Sequence, residues 1–220
     1  MADALVLHDV ALRRGGQDVL VHASARAGRG LVLLEGPNGS GKSSLLAAIA
    51  GALPLVRGRI AIAGFDLERD DVAARRQLGW LPQRSDAFLQ LSAQQWLAFV
   101  AGVRAVALAP AIARLAELLG PVAGMAMDAA MATLSAGMRR KVSLVAATLG
   151  DPTLLLLDEP LDALDAIGAA AVLAVVDQWI TAGRTVVCAM HQPTAEWTQR
   201  ATARWRLEGR GLHLRPATDA

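Results

Sequence analysis

The stretch GPNGSGKSS, Gly36 to Ser44, constrains this chain more than any other. It carries G-x-x-x-x-G-K-[ST], with Gly36, Gly41, Lys42 and Ser43 in register and Pro37, Asn38, Gly39, Ser40 and Ser44 completing the loop. An apolar run, GLVLLEG (30–36), leads into it, and a pattern with one apolar face, KSSLLAAIAGAL (42–53), leads out. The loop therefore joins a strand buried on both faces to the start of a helix. Glycines let successive N–H groups turn inward and approach an anion with no Cβ in the way. The helix opening near Gly41 adds unpaired amides and the positive end of its dipole. Lys42 then reaches the outer phosphates, and the Ser43 hydroxyl is a hard oxygen ligand for Mg²⁺. The expected ligand is a nucleoside triphosphate.

A second stretch, LSAGMRRKVSLVAATLGDPTLLLLDEP (134–160), ends an apolar strand on adjacent carboxylates, Asp158 and Glu159. In open α/β folds ligands bind at the carboxyl ends of the strands. Asp158 there is placed to hold Mg²⁺. Glu159, one residue on, is placed to orient and polarise a water for in-line phosphoryl transfer.

The rest of the chain alternates between the two secondary-structure periods. ALVLHDV (4–10) and VLVHASA (19–25) read as a strand pair across a Gly-Gly turn, and GRIAIAGFDL (58–67) reads as an edge strand. QLGWLPQ (77–83) reads as a core strand, while TLLLLDEP (153–160) and TVVCAMHQP (185–193) read as buried parallel strands flanking a helix at 166–182. Residues 85–132 are helical in pattern throughout, with breaks at Pro110 and Gly120-Pro121. A hairpin around Gly209–Gly211 closes the chain. The expectation is one α/β domain over 1–220. It has a parallel-sheet core of the nucleoside-triphosphatase type, an antiparallel β subdomain at the amino end and an all-helical subdomain inserted at 85–132.

Bulk properties narrow the function. The net charge of +2 over 220 residues gives no electrostatic case for nucleic acid, and none is expected as a partner. Arg139-Arg140-Lys141 reads as a solvated helix face. The single cysteine, Cys188, excludes an internal disulfide and reads as a small buried hydrophobe. No signal peptide is visible at the amino end. Arg104, Arg114, Glu117 and Asp128 interrupt the alanine-rich middle before any run reaches the ~18 apolar residues of a spanning helix.

With these motifs assembled, the sequence resembles the ATP-binding cassette family, the ATPase components of ABC transporters, over nearly its whole length. GPNGSGKSS matches the Walker A and LLLLDEP the Walker B with its glutamate. LPQ matches the Q-loop, LSAGM the signature, ALD (163–165) the D-loop and MHQP the switch histidine. The resemblance implies that ATP and Mg²⁺ are the ligands, with Ser43, Gln83 and Asp158 around the metal. It implies catalytic roles for Glu159, Gln83 and His191. It also implies head-to-tail pairing with a second cassette, so that Ser135 and Gly137 of one chain meet the γ-phosphate held by the other. An integral membrane subunit completes the expected assembly, at the inner face of the cell membrane, with the cassette on the cytoplasmic side. The runner-up, an ABC ATPase acting on nucleic acid or ribosomes, would want two cassettes in one chain or a long coiled coil. LEGPNGSGKSSLL, LSAG, LDEPLDALD and HQP further resemble the ATPase subunit of cytochrome c biogenesis haem exporters.

The sequence departs from the family pattern at three places. Ala136 and Met138 replace a glycine and a glutamine of the signature, and Met138 removes an amide from the composite site. Arg14 stands where the family stacks an aromatic ring on adenine; a guanidinium can stack on a base, and it can equally be a solvated loop residue. Leu161 and Asp162 precede the D-loop where small hydroxyl residues are common. Phe88, Leu89, Trp96 and Phe99 fit either a docking groove for the membrane subunit or the insert's own core.

Overall fold

The computed structural model describes residues 3–84 and 88–215. Strands β1 (Leu5–Arg14) and β2 (Gln17–Ala27) form a hairpin whose turn residues, Gly15 and Gly16, both take positive φ. β3 (Gly30–Glu35) runs into the glycine loop and then into α1 (Lys42–Ile49). That helix stops short of the predicted Leu53 because Gly51 enters the left-handed region at φ 71°. The single strand predicted over 58–67 is two, β4 (Arg57–Ile62) and β5 (Phe65–Asp66), paired antiparallel. Together with the first hairpin they make a four-stranded sheet in the order β2-β1-β4-β5.

A short helix unforeseen in the sequence, α2 (Asp71–Arg76), leads to β6 (Leu78–Leu81). Next come α3 (Ala93–Arg104), α4 (Ala109–Leu119) and α5 (Ala123–Asp128), with 3-10 turns at Gly120–Val122 and Met131–Thr133. The predicted helical stretch thus holds from Ala93 on, and its residues 85–87 lie outside the described ones. α6 (Ala136–Thr148) returns the chain to β7 (Leu154–Asp158), then α7 (Ala166–Thr181), β8 (Thr185–Met190) and α8 (Ala195–Arg200). A hairpin of β9 (Ala201–Glu208) and β10 (Gly211–Arg215) ends the described chain.

The second sheet has six strands in the order β10-β9-β3-β8-β7-β6, parallel except for β10. Every residue of β7 and β8 is buried, as a sheet covered on both faces requires. Each fully buried leucine of β7 contributes about 2 kcal/mol. Cys188 lies here with no exposed surface and no disulfide partner. β6, a core strand by its sequence pattern, is instead the sheet's edge, and among the described residues it pairs with β7 alone. Its apolar character comes from helix cover, because a Cβ on Gly79 would stand 2.0 Å from the Ala147 carbonyl oxygen of α6.

The helices over 93–128 pack an apolar cluster of their own around Leu97, Leu115, Leu119 and Met131, and that cluster takes in Val142 and Val145 of α6 and Leu149 just beyond it. The opposite side of α6, through Leu144 and Ala147, packs with β7 and β8. Phe88, Trp96 and Phe99 stack on one another, with centroids 4.8 to 5.8 Å apart, and both phenylalanines are half exposed. They form a surface cluster rather than the middle of the helical core.

Candidate functional site

The glycine loop lies at the carboxyl end of β3, between β2 and the β9–β10 hairpin. A Cβ on Gly41 would stand 2.3 Å from Val19 Cγ1, and one on Gly36 would stand 2.6 Å from the Leu207 carbonyl oxygen. Neighbouring backbone and side chains therefore admit only glycine at both positions, apart from any ligand. Gly41 caps α1 at φ 103° and supplies no side-chain hydrogen bond, so the first amides of the helix stay open. Lys42 is buried; its Nζ donates to the Gly36 carbonyl at 2.8 Å and lies 3.9 Å from Glu159 Oε1.

These groups face a cavity of about 750 Å³ lined by Pro37 to Ser44, Arg14, Gln83 and Glu159. The cavity also takes in residues that sequence reasoning missed: Gln17, Asp18 and Val19 of β2, and Glu208, Gly209 and Arg210 of the last hairpin. The first three follow Arg14 directly, so its position could have drawn them in. The last three are brought here by the parallel pairing of β9 with β3 and by the Val21 N–H of β2 donating to the Arg210 carbonyl at 2.9 Å, neither of which a local pattern announces.

Asp158 ends β7 with 2% of its surface exposed. Burial pushes its carboxyl above the ordinary range, while the Ser43 hydroxyl, Arg140 and the Gln83 backbone N–H pull the other way. Among the described residues its Oδ1 has no hydrogen-bond partner. An orphaned buried carboxylate oxygen beside a hydroxyl, with Gln83, whose side chain carries a carboxamide oxygen, lining the same cavity, is a hard oxygen set of the kind Mg²⁺ takes, so these residues fit that ion.

Glu159 sits at φ 46°, in the left-handed region unusual for a residue with a Cβ, at a cost on the order of 1 kcal/mol. Its N–H donates to the Ala189 carbonyl at 2.9 Å, which turns the side chain out of the sheet toward the cavity. Burial raises its carboxyl above the ordinary value, opposed by a backbone hydrogen bond from His191 and by the charge of Lys42. The His191 backbone thus adjoins Glu159, but its side chain is exposed and does not line the cavity.

Ser135 caps α6, its Oγ accepting from the Met138 N–H at 3.1 Å. Gly137 lies against the D-loop, where a Cβ would stand 2.8 Å from the Ala163 carbonyl oxygen. Neither lines the cavity. Met138 turns into the helical cluster as a partly buried apolar residue. The structure therefore gathers the glycine loop, Arg14, Gln83 and Glu159 into one cavity with Asp158 behind it. Ser135, Gly137 and the His191 side chain stand elsewhere. The basic run 139–141 is not a solvated face: Arg140 is buried, and Arg139 donates to the Leu134 carbonyl at 2.6 Å. Both guanidiniums answer main-chain carbonyls that are at least partly buried.

Comparison with known proteins agrees with this geometry. Residues 21–162 match the family model described as ABC transporter. The chain is 37% identical over 185 residues to the type I secretion system ATP-binding protein PrsD of Rhizobium meliloti, covering 80% of this chain and 31% of that protein. It is 34% identical over 194 residues to the zinc import ATP-binding protein ZnuC of Cereibacter sphaeroides, covering 85% of this chain and 72% of that one. A solved structure titled as the ATP binding subunit of an ABC transporter superposes with a TM-score of 0.86 at 26% identity, over 97% of this chain and 90% of the other. The chain thus spans under a third of the secretion protein and nearly three quarters of the zinc protein. The fold is that of the P-loop nucleoside triphosphatases, and the chain belongs to the ABC transporter family as one of its ATP-binding domains, a family of transport-coupled ATPases.

Proposed function

We propose that this chain binds and hydrolyses ATP to power a separate membrane subunit, through ATP-driven pairing of two cassettes. The observation that carries the reading is the single cavity in which the open amides of α1, Lys42 and Glu159 converge. ATP phosphates lie along the glycine loop, with Lys42 leaving the Gly36 carbonyl to meet the β- and γ-oxygens. Ser43, Asp158 and Gln83 hold Mg²⁺, which neutralises phosphate charge when bound. Glu159 orients the attacking water and accepts its proton as the bond between the γ-phosphorus and the bridging oxygen breaks. A carboxylate with its proton affinity raised by burial suits that task. Arg14, exposed at the cavity rim, stacks on the base.

The exposed Ser135 and the half-buried Gly137 beside it support the second half of the reading. A capped helix start that stands outside its own chain's glycine-loop cavity is available to the γ-phosphate held by another. His191, at the end of β8 beside Glu159, contacts the γ-phosphate in its own chain's cavity. We assign the helical stretch 85–132, as far as it is described, to docking the membrane subunit, with the Phe88–Trp96–Phe99 cluster on its surface. The relatives named above serve secretion and zinc import by their own names. The haem-export reading rests on the motif resemblance, and the transported cargo lies with the membrane subunit.

The test is Mg-ATPase activity and ATP-dependent dimer formation of the purified chain beside Glu159→Gln. The expected result is turnover by the native chain and an ATP-trapped dimer of the variant. If the variant never dimerises with ATP, even with the membrane partner present, the proposal fails.

A further inference from the structure

Arg140 is a helical arginine withdrawn from solvent, with 7% of its surface exposed. Its guanidinium stands where three segments meet. Nη1 donates to the Pro82 carbonyl at 2.6 Å and the Gln83 carbonyl at 3.1 Å. Nη2 donates to the Glu159 carbonyl at 2.7 Å and also to the Asp158 carbonyl. Two of these oxygens belong to the stretch leaving β6 and two to the end of β7. Among the described residues, Arg140 makes no ion pair within 4.0 Å; its charge is spent on main-chain dipoles, with Asp162, Asp158 and Glu159 as its nearby carboxylates.

The residue stands five positions after the Ser135 cap, on the helix that carries both Ser135 and Gly137. Two of the four carbonyls belong to Gln83 and Glu159, whose side chains line the cavity. The left-handed turn at Glu159 aims its carbonyl at the guanidinium while its N–H is held by Ala189. Only a planar fork with several donors can gather oxygens from two directions; lysine offers three donors from one point, and methionine none.

We propose that Arg140 is a positioning residue for hydrolysis, a strut that ties the main chains of Gln83 and Glu159 to the helix presenting Ser135 and Gly137. Displacement of α6 as a second cassette arrives then moves the Gln83 and Glu159 backbones with it. The water-orienting carboxylate is in place only when α6 is. This inference rests on the proposed ATPase reading for its catalytic part. The tie itself is a statement about this chain's own backbone.

The experiment compares wild type, Arg140→Lys and Arg140→Met in steady-state Mg-ATPase kinetics and in amide hydrogen exchange without nucleotide. Expected is a fall in kcat of roughly tenfold for the lysine variant and about a hundredfold for the methionine variant, with KM for MgATP within about threefold. Exchange at Gln83, whose N–H donates to the Asp158 carboxyl, and at Asp162, whose N–H donates to the Glu159 carbonyl, rises about tenfold or more in both variants, while α1 and β3 keep their protection. Should the methionine variant not fold, the lysine variant carries both measurements alone. A lysine variant with wild-type kcat, or one whose KM worsens while kcat holds, overturns the positioning role. Unchanged exchange at both amides overturns the tie. A wild-type chain without turnover overturns the proposed function instead, and the exchange measurement, which needs none, still decides the strut.

Discussion

The cavity and the helical layer over 93–134 are held together by different physics. Around the cavity, position is set by exclusion and by a few polar contacts: glycines whose Cβ would collide with Val19 or Leu207, a left-handed Glu159, and Lys42 on the Gly36 and Pro37 carbonyls. In the helical layer, position is set by apolar area shared among small side chains such as Ala93, Ala101, Ala111 and Ala126. Helices α4 and α5 there lack side-chain caps, and Val103 and Met125 are 70% and 72% exposed. Exclusion fixes atoms to within tenths of an ångström, whereas area tolerates sliding. Chemistry accordingly sits at the strand ends. α6 packs against both regions and is the element through which one can act on the other.

The comparison breaks most sharply at Lys42. Lys42→Ala should cut ATP hydrolysis by roughly 1,000-fold through loss of charge at the transferring phosphate, with the thermal midpoint kept or raised. Turnover surviving within about tenfold of wild type would show that the strand-end constellation is not what works on phosphate. In the helical layer the expected loss is of stability rather than chemistry. Leu115, fully buried, sits amid that cluster. Leu115→Ala should destabilise by about 3 kcal/mol, measured by denaturant unfolding, with ATP affinity held within about threefold. Affinity falling in step with stability would show that the two regions unfold and bind as one unit.

What the sequence made legible follows the same division. The glycine loop, Lys42 and the Asp158-Glu159 pair are local: each needs only a few adjacent residues and the strand or helix beside them. The apolar runs of β3, β7 and β8 identify buried parallel strands because both faces are covered. β6 carries the same kind of run but lies at the sheet edge, since the helix shielding it is remote in sequence. α2 and α8, at six residues each, are too short to display a 3.6-residue period. Arg140 looks like any basic residue on a helix until the ends of β6 and β7 are brought beneath it. Glu208 and Arg210 enter the cavity through a strand pairing that spans most of the chain and a hydrogen bond from Val21 of β2.

A smaller effect sharpens the role of α6. Ser135→Ala removes the cap accepted from Met138 and should cost about 1 kcal/mol of stability. ATP binding to the single chain should be unchanged, because Ser135 does not line the cavity. ATP-dependent pairing in the Glu159→Gln background should weaken, as read by sedimentation. A variant that loses stability yet pairs as before would confine Ser135 to capping and remove it from the composite site.

The smallest expected effect concerns Asp158, where the cavity's design works against the fold. Burial raises this carboxyl above its ordinary value of 3.8, and among the described residues Oδ1 is left without a partner. A raised acid binds its proton more tightly when folded than when unfolded, so folding is favoured at low pH and penalised as pH rises through the shifted value. Asp158→Asn removes that ionisation. The variant should therefore melt a few degrees above wild type at pH 7, about the 2–4 °C that 1 kcal/mol is worth in a domain of this size. The difference should shrink as pH falls toward 3.8, where wild type is also protonated. Added Mg²⁺ with ATP should reverse the order, stabilising wild type more than the variant, because only the carboxylate gains a cation. If the variant melts lower at pH 7 without ligand, then Ser43, Arg140 and the Gln83 amide outweigh burial, and Asp158 belongs with the groups that hold the fold rather than with those kept for the ion.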